Sequence, residues 1–148
     1  MKNRTIKGIV SLALMLICMF SISSMVFAET KQFNVTASNS PGVQSPDPYT
    51  PRAQKADNDI KFYVTCNYMS GTCNYVLFYM NRYTNVPPIS GQYVTYSQPM
   101  WYYRSEVGTT KSKTYGSDTY APAGYYYFMK CVPEYGYNYI NVTGQFTP

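Results

Sequence analysis

Two of the four cysteines lie close together in the segment TCNYMSGTCNY, residues 65–75. If residues 68–71 form a four-residue hairpin loop with Gly71 at positive φ, Cys66 lies directly opposite Cys73. Paired strand positions of this kind have Cα separations of about 4.5 Å, which suits a disulfide. We therefore predict a Cys66–Cys73 disulfide. A three-residue loop places Cys66 diagonally, and Cys66–Cys131 is then the alternative pair.

The cysteine count becomes odd once Cys18 is removed with the leader peptide described below. A buried thiol is the ordinary state of an unpaired cysteine, and an intermolecular disulfide that links Cys131 of two copies in a homodimer is the alternative. The spacing between Cys66 and Cys73 is longer than in zinc fingers, and the chain has no histidine to complete such a site. We predict no metal and no cofactor.

The absence of histidine excludes several catalytic mechanisms at once. Neither a Ser-His-Asp nor a Cys-His arrangement can form, and no imidazole can act as acid or base. A carboxylate pair remains, with Glu106 and Asp118 near opposite ends of neighbouring predicted strands. Acids in such places commonly form turns or pair with nearby cations. We predict that the protein is not an enzyme, with a small secreted hydrolase as an alternative.

Aromatic residues are in clear excess, with 18 tyrosines, 7 phenylalanines and 1 tryptophan. Tyr102 and Tyr103 are adjacent and residues 125–127 are all tyrosine, so in strands their rings point to both faces of a sheet. One core covers only one of these faces. Flat rings stack on sugars, and we predict Trp101, Tyr102 and Tyr126 as ligand-binding residues. The alternative is that tyrosine fills half-buried sheet surfaces without any ligand.

A polar segment, TTKSKT at residues 109–114, places two cations in a predicted hairpin loop. Lys111 and Lys113 are candidates for binding a phosphate or another anionic group of a polymer. A solvated loop is the alternative, because the segment has no arginine for bidentate contacts.

The charge balance argues against nucleic acid as a partner. The whole chain has 12 basic and 7 acidic residues, but Lys2, Arg4 and Lys7 lie in the predicted leader peptide. The mature chain then has 9 basic and 7 acidic residues, a net charge of +2. This charge is too small to predict nucleic acid or an anionic membrane as a partner.

Short aromatic and β-branched runs alternate with turn signals from residue 59 onward, and no window shows a helical period. In this pattern Trp101 and Tyr103 share one face of a strand. We predict an all-β fold, a single antiparallel β-sandwich of about seven short strands. The predicted strands lie near residues 60–67, 72–82, 92–97, 100–107, 113–119, 125–132 and 137–146.

The N-terminal residues predict export. Residues 1–7 carry three cations, an apolar run follows from residue 9 to residue 20, and Val26 and Ala28 fit the small-residue cleavage pattern of a signal peptide. A retained membrane anchor is the alternative. No later segment is apolar enough to span a membrane, so no membrane contact is expected after cleavage. The short, lysine-bearing leader is typical of a bacterial protein.

The composition of residues 29–58 predicts a flexible linker. Prolines occur at positions 41, 46, 48 and 51 among serine, asparagine and glutamine, and large apolar residues are few. A propeptide and a first strand at residues 32–35 are the alternatives. The predicted organisation is a signal peptide at 1–28, a linker at 29–58 and a β-sandwich at 59–148.

These features together predict a secreted or extracytoplasmic, non-catalytic binding or interaction module. The expected partner is a cell-surface polysaccharide or another protein, held through an aromatic face of a sheet. A small secreted structural or self-associating protein and the hydrolase are the alternatives.

Overall fold

The structure is a computed structural model that describes residues 28–45, 47–116 and 121–148. These residues form nine β-strands and one short helical turn, Arg104–Glu106. The strands make two antiparallel sheets, which confirms the predicted all-β class. The predicted signal peptide, apart from Ala28, and the predicted carboxylate Asp118 lie outside the described residues.

The first sheet has four strands, namely β1 (Lys31–Ala37), β3 (Lys61–Met69), β7 (Thr110–Thr114) and β9 (Ile140–Thr147). Their spatial order is β1, β9, β3 and β7. In β3 the apolar residues alternate with polar ones, so Phe62, Val64 and Cys66 are all buried on one face. The sheet therefore has one inner face and one outer face.

The second sheet has five strands, namely β2 (Ala53–Gln54), β4 (Tyr75–Tyr83), β5 (Tyr93–Thr95), β6 (Met100–Tyr103) and β8 (Tyr126–Pro133). β8 and β4 pair at the centre, and β2 flanks β8. Two short strands share the other side of β4. β6 pairs with residues 75–78 and β5 pairs with residues 81–83, so the pairing is interrupted at Tyr79.

The inner faces of the two sheets share one hydrophobic core. Phe33 of β1 meets Phe78 of β4 edge to face, with 5.7 Å between ring centroids, and this contact joins the sheets. Full burial of an aromatic or aliphatic side chain contributes roughly 1.5–3 kcal/mol each. The largest fully buried apolar side chains are Tyr102, Tyr115, Tyr127, Phe62, Phe78, Phe146, Met80, Met129, Val35, Val64 and Val76.

The segment predicted as a flexible linker differs from that expectation, because it forms an edge of each sheet. Residues 31–37 pair with β9 along their whole length, and their apolar residues alternate as a half-buried strand requires. Further along, Cys131 N donates to Pro48 O at 2.7 Å and Thr50 N donates to Met129 O at 2.9 Å. Edge positions tolerate proline, which has no N–H to donate. The alternative of a first strand at residues 32–35 agrees with β1.

The predicted hairpin at residues 68–71 is wrong, because β3 and β4 belong to different sheets. Gly71 has the expected positive φ, +66°, but its turn carries the chain from one sheet to the other. Cys66 therefore lies opposite Gly144 of β9 and not opposite Cys73. Neither Cys66–Cys73 nor Cys66–Cys131 is bonded, and the three cysteines of the described residues are buried free thiols.

Residues 109–114 also differ from their prediction as a hairpin loop. Residues 110–114 form β7, in which Lys111 pairs with Val64 and Lys113 pairs with Phe62 of β3. Paired residues point to the same side of a sheet, so both half-buried lysines lie at the edge of the core.

Candidate functional site

The outward side of the five-stranded sheet, which we call the outer face, carries a long array of aromatic rings. In β4, Tyr75, Tyr79 and Tyr83 point outward because residues two and four apart in a strand share a face. At about 3.3 Å per residue, the row from Tyr75 to Tyr83 extends over about 26 Å. The aromatic residues of the outer face are Tyr49, Tyr75, Tyr79, Tyr83, Tyr93, Trp101, Tyr103, Tyr126 and Phe128.

Three rings at one end of the outer face form the Trp101 platform, which consists of Tyr75, Trp101 and Tyr103. The Trp101 and Tyr103 rings are nearly parallel, with 22° between their planes and 6.3 Å between centroids. The Tyr75 ring lies 4.7 Å from Trp101 and 6.0 Å from Tyr103. Trp101 and Tyr103 each remain 45% exposed, so the platform offers open apolar surface to solvent.

The other end of the outer face is the Phe128 cluster, in which three tyrosines surround Phe128. The Phe128 ring lies 4.9 Å from Tyr83, 5.0 Å from Tyr93 and 5.7 Å from Tyr49. The hydroxyls of Tyr49 and Tyr93 meet at 3.4 Å, and this hydrogen bond is the main cause that raises the pKa of Tyr93. These rings pack against one another, but Tyr49 and Tyr93 keep more than a third of their surface exposed.

A pocket of about 310 Å³ lies between the platform and the Phe128 cluster, lined by Tyr79, Asn81, Thr95, Lys130 and Val132. It coincides with the interruption in the pairing of β4 between β6 and β5. Thr95 Oγ1 donates to Asn81 Oδ1 at 3.0 Å, and Asn81 Nδ2 donates to the Tyr79 carbonyl at 3.1 Å. Hydrogen bonds between these lining residues therefore fix the wall of the pocket. We call this pocket the central pocket.

Lys111 of β7 bonds the backbone of β6, the strand that carries Trp101 and Tyr103. Its Nζ donates to the Trp101 carbonyl at 2.8 Å and to both carboxylate oxygens of Glu106 at 2.8 Å. The carboxylate of Glu106 also accepts the Tyr103 N–H at 2.8 Å. The bonds from Lys111 and then from this N–H lower the pKa of Glu106. Lys111 is thus engaged inside the protein and differs from the free cation that was predicted to bind an anionic ligand.

Tyr102 was predicted to contact a ligand, but the structure buries it completely. Its ring meets Phe78 edge to face at 6.1 Å between centroids. Its hydroxyl accepts the Cys66 N–H at 3.1 Å and donates to the Thr109 carbonyl. Tyr102 therefore links β6 of one sheet to β3 of the other from inside the core.

The other predicted ligand-binding residues are spread over the molecule. Tyr126 lies on the outer face beside β2, where the Arg52 guanidinium is 5.6 Å from its ring centroid. Lys113 belongs to the four-stranded sheet and lies off the outer face. Of the five predicted residues, only Trp101 and Tyr126 are on the outer face, at its opposite ends.

The three cysteines lie near one another in the core. Burial raises the pKa of Cys66 to about 11. Burial and then the neighbouring Cys66 and Cys73 raise the pKa of Cys131. Protonated thiols are poor nucleophiles, so this group is unsuited to covalent catalysis. Cys131 is also fully buried, so the predicted bridge between two copies requires the core to open.

Sequence reasoning missed Tyr75, Tyr79, Tyr103 and Lys130, which contribute most of the outer face beside Trp101. A signal for them was present: in YVLFYMNRY the tyrosines recur every four residues, and an even spacing in a strand means one face. Choosing the adjacent pair Trp101 and Tyr102 was inconsistent with the same rule, since neighbours in a strand point to opposite faces. Tyr103 was the correct companion of Trp101.

Two other features are absent from the part of the chain that the structure describes. Among the described residues, no helix has the length and apolar character needed to cross a membrane. The same part of the chain brings together no group of three side chains of the types that hold a metal ion.

The chain matches no protein-family model, and neither the curated proteins nor the solved structures give a significant match.

Proposed function

We propose that the protein is an exported, non-catalytic binding module that holds a cell-surface polysaccharide on its outer face. In this proposal residues 1–28 are a cleaved signal peptide, and the two sheets pack as a β-sandwich that displays the aromatic surface. The observation that carries the proposal is the Trp101 platform, with two nearly parallel rings that are each 45% exposed. Contiguous exposed apolar surface is a common mark of ligand-binding and partner-binding sites.

The chemistry of the platform suits sugars. A pyranose ring has apolar C–H faces and a rim of hydroxyls, and a flat indole or phenol ring can cover such a face. Burial of apolar area contributes about 25 cal/mol per Å². Tyrosine adds a hydroxyl that can hydrogen-bond the sugar rim, and it loses little rotamer freedom on binding. A rigid aromatic surface therefore binds sugars at low entropic cost.

The length of the array favours a polymer over a single sugar. The aromatic row along β4 extends over about 26 Å, and rings occur at both ends with the central pocket between them. A monosaccharide covers only one of these parts. An extended chain can lie along β4 and contact the platform, the pocket and the Phe128 cluster together, which adds the contributions of weak individual contacts.

The contacts of Glu106 do not fit the general acid of a glycosidase. A glycosidase needs a general acid whose pKa is raised, whereas hydrogen bonds from Lys111 and the Tyr103 N–H lower the pKa of Glu106. The same bonds give Glu106 a structural task, because it closes the helical turn next to the platform strand.

The experiment that tests this function is co-sedimentation of residues 29–148 with insoluble peptidoglycan, cellulose and chitin. The variant Trp101→Ala/Tyr103→Ala removes the platform. We expect saturable retention on at least one polymer and a loss of more than tenfold in affinity in the double variant, since each removed ring takes about 1–2 kcal/mol of contact with it. Circular dichroism verifies that the variant stays folded.

Matched controls are two exposed tyrosines outside the outer face. Tyr68 on β3 is 53% exposed and Tyr135, which follows β8, is 71% exposed. Their replacement by alanine should leave retention unchanged. Equal losses in platform and control variants, or full retention in the platform variant, contradict the proposal. Absence of retention on every polymer leaves the outer face as a surface for protein contact.

A further inference from the structure

The central pocket contains a cation at the middle of the aromatic row. Lys130 lies on β8, directly opposite Tyr79 of β4 on one side and Tyr49 on the other. Its side chain is exposed and lines the pocket together with Tyr79, Asn81, Thr95 and Val132. A polymer that follows β4 from the platform to the Phe128 cluster passes over this ammonium group.

The charge of Lys130 has no counter-charge on its own surface. The strands that build the outer face, β2, β4, β5, β6 and β8, contain no aspartate and no glutamate. Among the described residues the Lys130 ammonium makes no ion pair, in contrast to the three lysines that do, which are Lys31 with Glu29, Lys55 with Asp57 and Lys111 with Glu106. Lys130 is thus a cation within the central pocket that is free to receive an external anion.

The surroundings of Lys130 favour such an anion over water. The Tyr79 ring and the Val132 side chain form the apolar part of the central pocket, and apolar surface beside a charge strengthens its attraction to an opposite charge. Asn81 and Thr95 already bond each other, so they do not compete for the ammonium. A charge-assisted hydrogen bond to an ionised group is about twice as strong as a neutral one.

We propose that the central pocket is an anion subsite, in which Lys130 binds a carboxylate or phosphate carried by one sugar unit of the polymer. The outer face then selects acidic polysaccharides, with the platform and the Phe128 cluster holding neighbouring units. This inference rests on the proposed function, because it assigns the polymer class that the same surface binds. Both anions share one chemistry, a sugar-borne negative charge with free oxygen acceptors.

The test measures affinity for matched soluble polymers by isothermal titration of residues 29–148. Polygalacturonate supplies carboxylates, its fully methyl-esterified form supplies the same sugar without charge, and a poly(glycerol phosphate) teichoic acid supplies phosphates. The variants are Lys130→Met, which keeps the length without the charge, and Lys130→Arg, which keeps the charge. Lys61→Met on β3 is the control, since Lys61 is exposed, lies on the other sheet and changes the net charge equally.

We expect Lys130→Met to weaken binding of the acidic polymer about tenfold and to leave the methyl ester unaffected. Lys130→Arg should restore most of the affinity, and Lys61→Met should have little effect. Preference between polygalacturonate and teichoic acid identifies which anion the pocket takes.

The outcomes that overturn the inference differ from those that overturn the function. Equal losses in Lys130→Met and Lys61→Met mean that only net charge attracts the polymer. Equal loss on the acidic and esterified polymers means that Lys130 only shapes the surface. Tight binding of the neutral polymer with no acidic preference rejects the anion subsite and leaves the proposed function standing. Binding of no polymer by any form rejects both.

Discussion

Arg104 stabilises the crossover between the sheets with a single guanidinium group. Its Nε donates to the Cys73 carbonyl at 2.8 Å, and its two terminal nitrogens donate to the Met69 and Ser70 carbonyls at 2.9 Å each. The Met69 carbonyl ends β3, and the Ser70 and Cys73 carbonyls belong to the turn between β3 and β4. Arginine has five donors in a fixed fork and can serve three acceptors at once, which the ammonium of lysine cannot do with the same geometry.

We predict that Arg104→Met destabilises the protein by about 2–3 kcal/mol and Arg104→Lys by about 1–2 kcal/mol, because buried carbonyls lose charged donors. Urea unfolding followed by tyrosine fluorescence measures both. Arg52→Met is the matched control, since Arg52 is exposed and its charge only lies over the Tyr126 ring. If Arg104→Met and Arg52→Met unfold at the same urea concentration, the crossover does not depend on this guanidinium.

At the scale of single elements, β9 shows why a glycine occupies the centre of the first sheet. Gly144 lies between β1 and β3, opposite Phe33 on one side and Cys66 on the other. A Cβ at this position would overlap the Thr65 carbonyl oxygen and come within 2.7 Å of the Phe33 ring. Phe33 thus packs over the glycine and covers backbone that would otherwise be exposed.

We predict that Gly144→Ala destabilises the protein by about 3 kcal/mol or more, because backbone on the neighbouring strand must move to admit one methyl group. Gly42→Ala is the control: nothing lies within 4 Å of its added Cβ, and its φ of +75° limits the cost to backbone strain, about 1 kcal/mol. Thermal unfolding followed by circular dichroism compares the stabilities of the two variants. A larger loss in Gly42→Ala contradicts the packing argument.

The strands also show how far the sequence could predict the fold. The aromatic and β-branched runs correctly located β3, β4, β5, β6, β8 and β9, because those residues fit a pleated, half-buried surface. β1 was predicted only as an alternative and β7 was misplaced, since edge strands can be mostly polar, as in TKSKT of β7. The turn at Gly71 was correctly predicted, but a turn signal does not tell whether the next strand joins the same sheet or the opposite one.

The candidate site was predicted less completely than the strands. Trp101 and an aromatic sheet face follow from composition and from the two-residue period of strands. The central pocket does not, because its lining residues come from β4, β5 and β8, and their closeness depends on pairing between distant segments. The ion pair of Lys111 with Glu106 depends on the helical turn that joins β6 to β7, which the sequence did not predict.

At the scale of the whole molecule, a buried lysine connects the N-terminal segment to the C-terminus. The side chain of Lys55 is fully buried; its Nζ bonds Asp57 Oδ1 at 2.8 Å and the Pro148 carbonyl at 3.3 Å. The Nζ also lies 5.4 Å from the centroid of the Tyr115 ring. The hydrogen bond from Lys55 lowers the pKa of Asp57 from its ordinary value of 3.8. Loss of the Asp57 charge leaves the buried ammonium without its ion-pair partner.

We predict that folding stability falls as pH decreases below about 4, through the lowered pKa of Asp57 in the folded state. A carboxyl whose pKa is lower in the folded than in the unfolded state stabilises the fold above the unfolded value and loses this contribution below the folded one. Asp57→Asn should cost about 1–2 kcal/mol at pH 7, a value reduced by solvent screening of the half-exposed carboxylate. The same variant should also lose less stability than the parent protein as the pH falls towards 2.

The measurement is urea unfolding at pH values between 2 and 7, with Asp47→Asn as a control of equal charge change at an exposed position. Parallel acid profiles for the parent protein and Asp57→Asn would show that another carboxylate governs acid unfolding. A flattened profile in Asp47→Asn would point to general charge repulsion instead.

The N-terminal segment supplies an edge strand to each sheet, so cleavage of the chain within this segment would uncover a sheet edge. If, as proposed, a leader peptide is removed after Ala28, two residues remain before β1 begins at Lys31. A protease that cuts a few residues later removes the strand that covers one side of β9, and a cut beyond residue 54 also uncovers β8. Bare strand edges recruit further chains into growing sheets. The position of a single scissile bond therefore decides whether both sheet edges stay covered or become open to pairing with further chains.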